Sequence, residues 1–130
     1  MLCQLGVGGG RQMNKILIKK HLLRMGVKPH YKGFEYLARA IEIYEPGMKI
    51  MEVYKQVAKE NKALSATSVE RSIRYSKEEM IAQNIQETLK DYFGVSVVVS
   101  ENIKNGEFIA LMKFAIEALE GQKNRPGPRQ

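Results

Sequence analysis

The chain has 130 residues, a formal net charge of +7 and one cysteine, which suits a single domain whose core needs neither a disulfide nor a metal. Cys3 cannot pair within the chain, residues 1–11 lack the charged start and apolar run of a secretory signal, and no apolar stretch nears the roughly 20 residues of a membrane helix; a cytoplasmic protein that does not enter a membrane is expected. The charge surplus lies early, because Arg11, Lys15, Lys19, Lys20, Arg24, Lys28 and Lys32 all precede the first acidic residue, Glu35, a distribution that fits a surface for a polyanion and fits a solvated helix face equally well.

Residues 1–13 read as a flexible leader. Its "GVGGG" resembles a phosphate-binding loop but has no preceding strand and does not complete G-x-G-x-x-G; Met13 is an alternative start. "NKILIKKHLLRMG" then predicts a first helix, with Ile18, Leu22 and Met25 on one stripe and Gly26 as its stop. "VKPHYKG" reads as a loop, since Pro29 biases Lys28 away from helix and Gly33 frees the backbone. Leu37, Ile41 and Tyr44 mark a second helix, and "EPG" at 45–47 a turn. A third helix, "MKIMEVYKQVAKEN", carries Ile50, Val53 and Val57 on its stripe. The short polar "NKALSA" leads into a fourth, around "SVERSIRYSKEEM", and "NIQETLKDYFG" predicts a fifth that ends near Gly94. "VSVVVS" at 95–100 reads as an extended segment packed on helices, with a short strand as the lesser alternative. "NGEFIALMKFAIEALEG" is the sixth helix, with Phe108, Leu111, Met112 and Ala115 on its stripe, and residues 122–130 are a Pro/Gly tail too polar to order itself. The expectation is an all-α domain of six helices over residues 14–121.

Catalysis has little support in this composition. A nucleophile needs a base and an orienting group, and the only histidines, His21 and His30, read as a satisfied core residue and a loop residue. One cysteine and two histidines provide no zinc spacing. No metal or other cofactor is expected, and methionines on apolar stripes are gap-fillers of the core.

The fourth helix carries more. At about 100° per residue, Val69, Ile73, Ser76 and Met80 fall within roughly 40° of one direction and define an inward face. Thr67, Arg71, Arg74 and Glu78 lie opposite, flanked by Glu70 on one edge and by Ser68 and Tyr75 on the other. The third helix precedes it by a few residues, which is the order of a helix-turn-helix, where the second helix enters the major groove of DNA. Arginine suits that place because its planar fork donates twice to guanine O6 and N7, and a carboxylate such as Glu70 accepts from cytosine N4. Two local alternatives stand beside this reading: Thr67-x-x-Glu70 as a capping box, and Arg74 with Glu78 as an i,i+4 pair.

Three segments resemble a known family. "GVKPHYKGFEYLARAI" is similar to the G-V-P-x-H-x-K-G-Y-x-Y-L-x-x-A-I opening of the C-terminal DNA-binding domain of the sporulation master regulator, stage zero sporulation protein A. "SVERSIRY" resembles its recognition signature R-V-E-R-A-I-R-H, and "NGEFIALM" its last helix, N-S-E-F-I-A-M. The matches occur in order from about Ile16 to Leu119. The resemblance implies a six-helix domain with a helix-turn-helix that binds duplex DNA as a dimer on tandem sites, with RNA polymerase as a further partner. It places Glu70, Arg71 and Arg74 on positions that approach DNA. The departures are Ser68 where the family has an arginine, Tyr75 where it has a histidine, and Ile81 where a tryptophan is familiar.

The sequence thus leads to a stand-alone, sequence-specific DNA-binding regulator without a phospho-receiver domain. Glu70, Arg71 and Arg74 are expected at the bases, Thr67, Ser68 and Tyr75 beside them, and Lys62, Lys15, Lys19 and Lys20 at phosphates, which position the protein but carry little sequence information. The alternative is an interaction module that keeps the fold and dimerises with or sequesters a full-length regulator.

Overall fold

The computed structural model describes residues 14–62, 65–83 and 102–124. Among them are five helices and no strand: α1 (Lys15–Arg24), α2 (Lys32–Ile43), α3 (Ile50–Asn61), α4 (Ala66–Ala82) and α5 (Asn105–Asn124). The helix expected near 84–94 and the extended segment at 95–100 lie outside the described residues, as do the leader and the end of the tail. None of the described helices is long and apolar enough to cross a membrane.

Several boundaries have a local cause. Asn14 caps α1, its Oδ1 accepting from Leu17 N at 2.8 Å, which satisfies one of the donors a helix start leaves open. Gly26 ends that helix region with φ +97°, a conformation that costs a side chain but not glycine. Gly47, at φ +96°, makes the turn after α2. Lys62 caps the C-terminus of α3 in the left-handed region, φ 55° and ψ 32°. At α4 the cap is Ser65, whose Oγ accepts from Ser68 N at 3.1 Å. Thr67 lies inside the helix, so the Thr67–Glu70 capping box does not form. The helix begins two residues earlier than that pattern requires.

α2 is the hub and touches each of the other four helices. Its Phe34, Tyr36, Leu37, Ala38, Ala40 and Ile41 are all buried, so it is apolar around most of its circumference, as a helix with neighbours on several sides must be. Tyr44, expected on its stripe, stands just beyond the helix as its C-terminal cap and packs at the edge of the core. Ile18, Leu22 and Met25 of α1, Val53 and Val57 of α3, and Val69, Ile73 and Met80 of α4 complete the core as their spacing predicts. In α5 the buried stripe is Phe108, Ile109, Met112 and Ile116. Leu111 and Ala115 lie to its side, half-buried, because the face turned to the core is rotated toward Ile109 and Ile116.

Gly33 belongs to the first turn of α2 and not to the loop before it. A Cβ there would lie 2.3 Å from Ser72 O and 2.3 Å from Ser76 Oγ of α4. The glycine therefore serves close approach of two backbones, and freedom of φ is incidental. α1 and α5 are joined by His21, which is 1% exposed and whose Nε2 donates to Glu120 Oε2 at 2.7 Å. Lys113 of α5 donates to Tyr44 O and to Glu42 O at 3.3 Å, placing a cation at the C-terminal end of α2 where the helix dipole favours it. α5 continues through Gln122, Lys123 and Asn124, where the sequence reading begins the tail.

Candidate nucleic-acid interface

α4 separates its residues as the angular count requires. Val69, Ile73, Ser76 and Met80 are buried, while Thr67, Arg71, Arg74 and Glu78 are exposed. α3 precedes α4 directly and packs against it, which holds the outward side of α4 at the surface.

On this surface the two arginines differ. Arg74 NH1 lies 3.4 Å from Glu70 Oε2, one turn back, so its ion pair is with Glu70 and not with Glu78. Glu70 sits on the N-terminal side of Arg74, the orientation the helix dipole favours for an acid–base pair. Arg71 has no ion pair or hydrogen bond among the described residues. It lines a cleft of about 630 Å³ with Lys32, Glu35 and Tyr36 of α2, Asn61 and Lys62 at the end of α3, and Ser68 and Ser72 of α4. Three cations thus share one opening against one carboxylate. Ser68 Oγ lies 3.3 Å from Ser65 Oγ, so the residue that replaces the family arginine is tied to the helix cap. Thr67 is exposed in the first turn.

The basic first helix meets the cleft through Glu35. Lys15 pairs with Glu35 Oε1 at 3.8 Å and Lys19 with Glu35 Oε2, whereas Lys20 is exposed. Lys15 and Lys19 are therefore partly neutralised within the protein. Tyr75, at the other edge of α4, is 51% exposed and stands edge-on to Tyr31, ring centroids 5.2 Å apart; its hydrogen bond with Tyr31 pushes the phenol pKa up. Lys28 reaches Glu79 at 3.7 Å and fastens the loop before α2 to α4.

Two residues here escaped sequence reasoning. Lys32 was visible in the basic run, but nothing in its spacing said it would share a cleft with Arg71. Lys77 lies on α4 yet is only 5% exposed, because its ammonium donates to Ile103 O just before α5; burial pushes its pKa down. A lysine beside the inward face is a case of an apolar stem covering the core while the head finds a polar partner. Among the described residues, no three His, Cys, Asp or Glu side chains gather as metal ligands would.

Comparison with known protein families matches residues 18–116 to the family described as sporulation initiation factor Spo0A C terminal. The chain belongs to this family. Spo0A C-terminal domains are the DNA-binding effector domains of a sporulation transcription regulator, and the three segments that carry the resemblance fall on α2, α4 and α5 of this all-α domain. The first spans the hub and Gly33, the second the arginines of α4, and the third the start of α5, so the family signature covers both the packing of α4 and its outward side.

Proposed function

We propose that this domain binds duplex DNA with sequence preference as a regulator of transcription, using α3 and α4 as a helix-turn-helix. The observation that carries the reading is Arg71: it is exposed early in α4, has no partner among the described residues, and shares its cleft with Lys32 and Lys62. A guanidinium kept free on a surface helix is available for a guanine edge, while two lysines beside it suit the phosphates on either side. Glu70 and Arg74 form the second reading pair. Thr67, Ser68 and Tyr75 border them, and Lys62, Lys15, Lys19 and Lys20 supply charge to the backbone of the DNA.

Selection of bound duplexes from a random pool tests this directly. The protein should enrich one motif, and Arg71→Ala should relax preference at one base pair by about 1–3 kcal/mol while leaving the melting temperature nearly unchanged. Arg71→Lys should restore only part, since an ammonium lacks the fork. An equal ratio of specific to random binding in Arg71→Ala and the parent would make Arg71 a phosphate contact or a spectator, and the sequestering module would become the better account.

The same proposal includes a second copy of the chain. Phe114 of α5 is 71% exposed, with half-buried Leu111 one turn before it and exposed Ala118 one turn after, an apolar strip at the surface of α5. Phe114→Glu should shift a dimer to monomer in sedimentation with helicity intact. A parent protein that already sediments as a monomer would remove dimerisation from the reading.

A further inference from the structure

We infer that Asn105, at the start of α5, is a positioning residue for base reading: it holds the Glu70 carboxylate against Arg74 and so fixes what that half of α4 presents to DNA. This rests on the reading of α4 as the helix that meets the bases.

Asn105 is 7% exposed, and its Nδ2 donates to Glu70 O at 3.0 Å and approaches Glu70 Oε2 at 3.4 Å. Both of these are acceptors, so the amide must turn its nitrogen toward α4. Its Oδ1 is then left buried without a hydrogen-bond partner among the described residues. Such an orphan acceptor costs free energy, and an apolar residue would join the two helices without it. The asparagine is also held from behind. Lys77 of α4 donates to Ile103 O, Lys104 O accepts from Phe108 N at 2.9 Å, and Tyr54 of α3 lines the same cleft as Asn105. A rigid support thus meets one atom of the reading surface.

That atom is the same Glu70 Oε2 that pairs with Arg74 NH1 at 3.4 Å. A surface glutamate could otherwise swing outward, where it would repel phosphates, and Arg74 would lose its partner. With Asn105 in place the carboxylate stays beside the helix and the guanidinium is held by it. Arg71 stands apart from this chain of contacts, with no partner among the described residues for Asn105 to move.

Base preferences should be measured by selection from a random duplex pool for the whole chain and for Asn105→Ala, Glu70→Ala and the double variant, with Arg71→Ala and Arg74→Ala marking which base pair each arginine sets. Asn105→Ala is expected to lower discrimination at the Arg74 base pair by about fivefold, a part of what a full bidentate contact supplies, and to leave the Arg71 base pair within about twofold of the parent, a change too small to signal removal of a base contact. In the Glu70→Ala background the same change should add nothing, since its route of action is gone. An even loss at every position, an unchanged preference, or an effect that persists without Glu70 would each overturn the inference and leave Asn105 a joint between helices. If the parent enriches no motif, base reading itself falls, a result distinct from a parent that selects its motif while Asn105→Ala selects the same one. Should Asn105→Ala fail to fold by circular dichroism, Asn105→Ser carries the identical test, because serine suits a helix start but is too short to reach Glu70.

Discussion

The outward sides of α2 and α4 each present an arginine, and the two are placed in opposite circumstances. On α2, Arg39 donates from Nε to Glu60 Oε1 at 2.6 Å, from NH2 to Glu60 Oε2 at 2.8 Å and from NH1 to Glu42 Oε1 at 2.7 Å. Its fork is filled, its pKa is raised further by the Glu60 hydrogen bond, and it ties α2 to α3. On α4, Arg71 engages none of the described residues. Composition and spacing alone treat these side chains alike. The difference teaches that a basic surface is read by subtracting the charges already matched within the protein; among the described residues, three of those left unmatched, Arg71, Lys32 and Lys62, share one cleft.

The comparison holds only while α2 and α4 stay in touch, and the largest expected effect is on their packing. Gly33→Ala would place a methyl group 2.3 Å from a backbone carbonyl of α4, and a main-chain atom cannot step aside as a side-chain tip can. We expect a loss of about 3 kcal/mol, at the upper end of overpacking costs, read as a lower denaturation midpoint. A loss below about 1 kcal/mol would mean that α4 slides on α2 with little penalty.

An intermediate case is the α1 cluster, where Lys15 and Lys19 are shared with Glu35. Replacing Lys15, Lys19 and Lys20 with glutamine should weaken binding to all duplexes alike and reduce the slope of log K against log salt by about 0.9 for each phosphate no longer neutralised. A reduction matching one phosphate would single out Lys20 and show that the pairing with Glu35 persists on DNA. An unchanged slope would assign all three to solvation.

The smallest effect belongs to Arg39→Gln. Arg39 holds the Glu60 carboxyl down to about 2, well below an ordinary carboxylate, so this pair stabilises the fold above the unfolded-state pKa of roughly 4.3 and its contribution is lost as pH falls toward about 2. Because the groups are partly solvated, about 1 kcal/mol or less is at stake. Arg39→Gln should lower stability by that amount at neutral pH, flatten the acid limb of a stability–pH curve between pH 4 and 2, and leave the selected DNA motif intact. A changed motif would show that Arg39 is not confined to the fold.

Much of this arrangement is legible from periodicity. Ser76 illustrates its strength: the angular count places a serine inward, against its polarity, and it is 1% exposed. The same count separates Arg71 and Arg74 from the core. It does not say which carboxylate an arginine meets, because Glu70 and Glu78 are both one turn from Arg74; the choice follows from Asn105, which approaches Glu70 from 35 positions away. The cap of α4 escapes it for a related reason. Ser65 and Thr67 both suit a helix start, and helix boundaries shift by a residue or two without altering the stripe. The purpose of Gly33 is beyond local reading altogether, since a glycine beside Pro29 and Lys32 looks like a loop until Ser72 and Ser76 are seen across from it.

The backbone of Lys62 has a bearing on what the protein has been shaped for. Left-handed dihedrals such as its φ of 55° suit glycine, and a lysine accepts them at a cost of about 1 kcal/mol. A domain under pressure only to resist heat would relax that corner with a residue lacking a side chain. This one keeps a lysine in the lining of the Arg71 cleft and tolerates the discomfort, so the corner between α3 and α4 lies away from the stability optimum on the side that adds positive charge to the cleft.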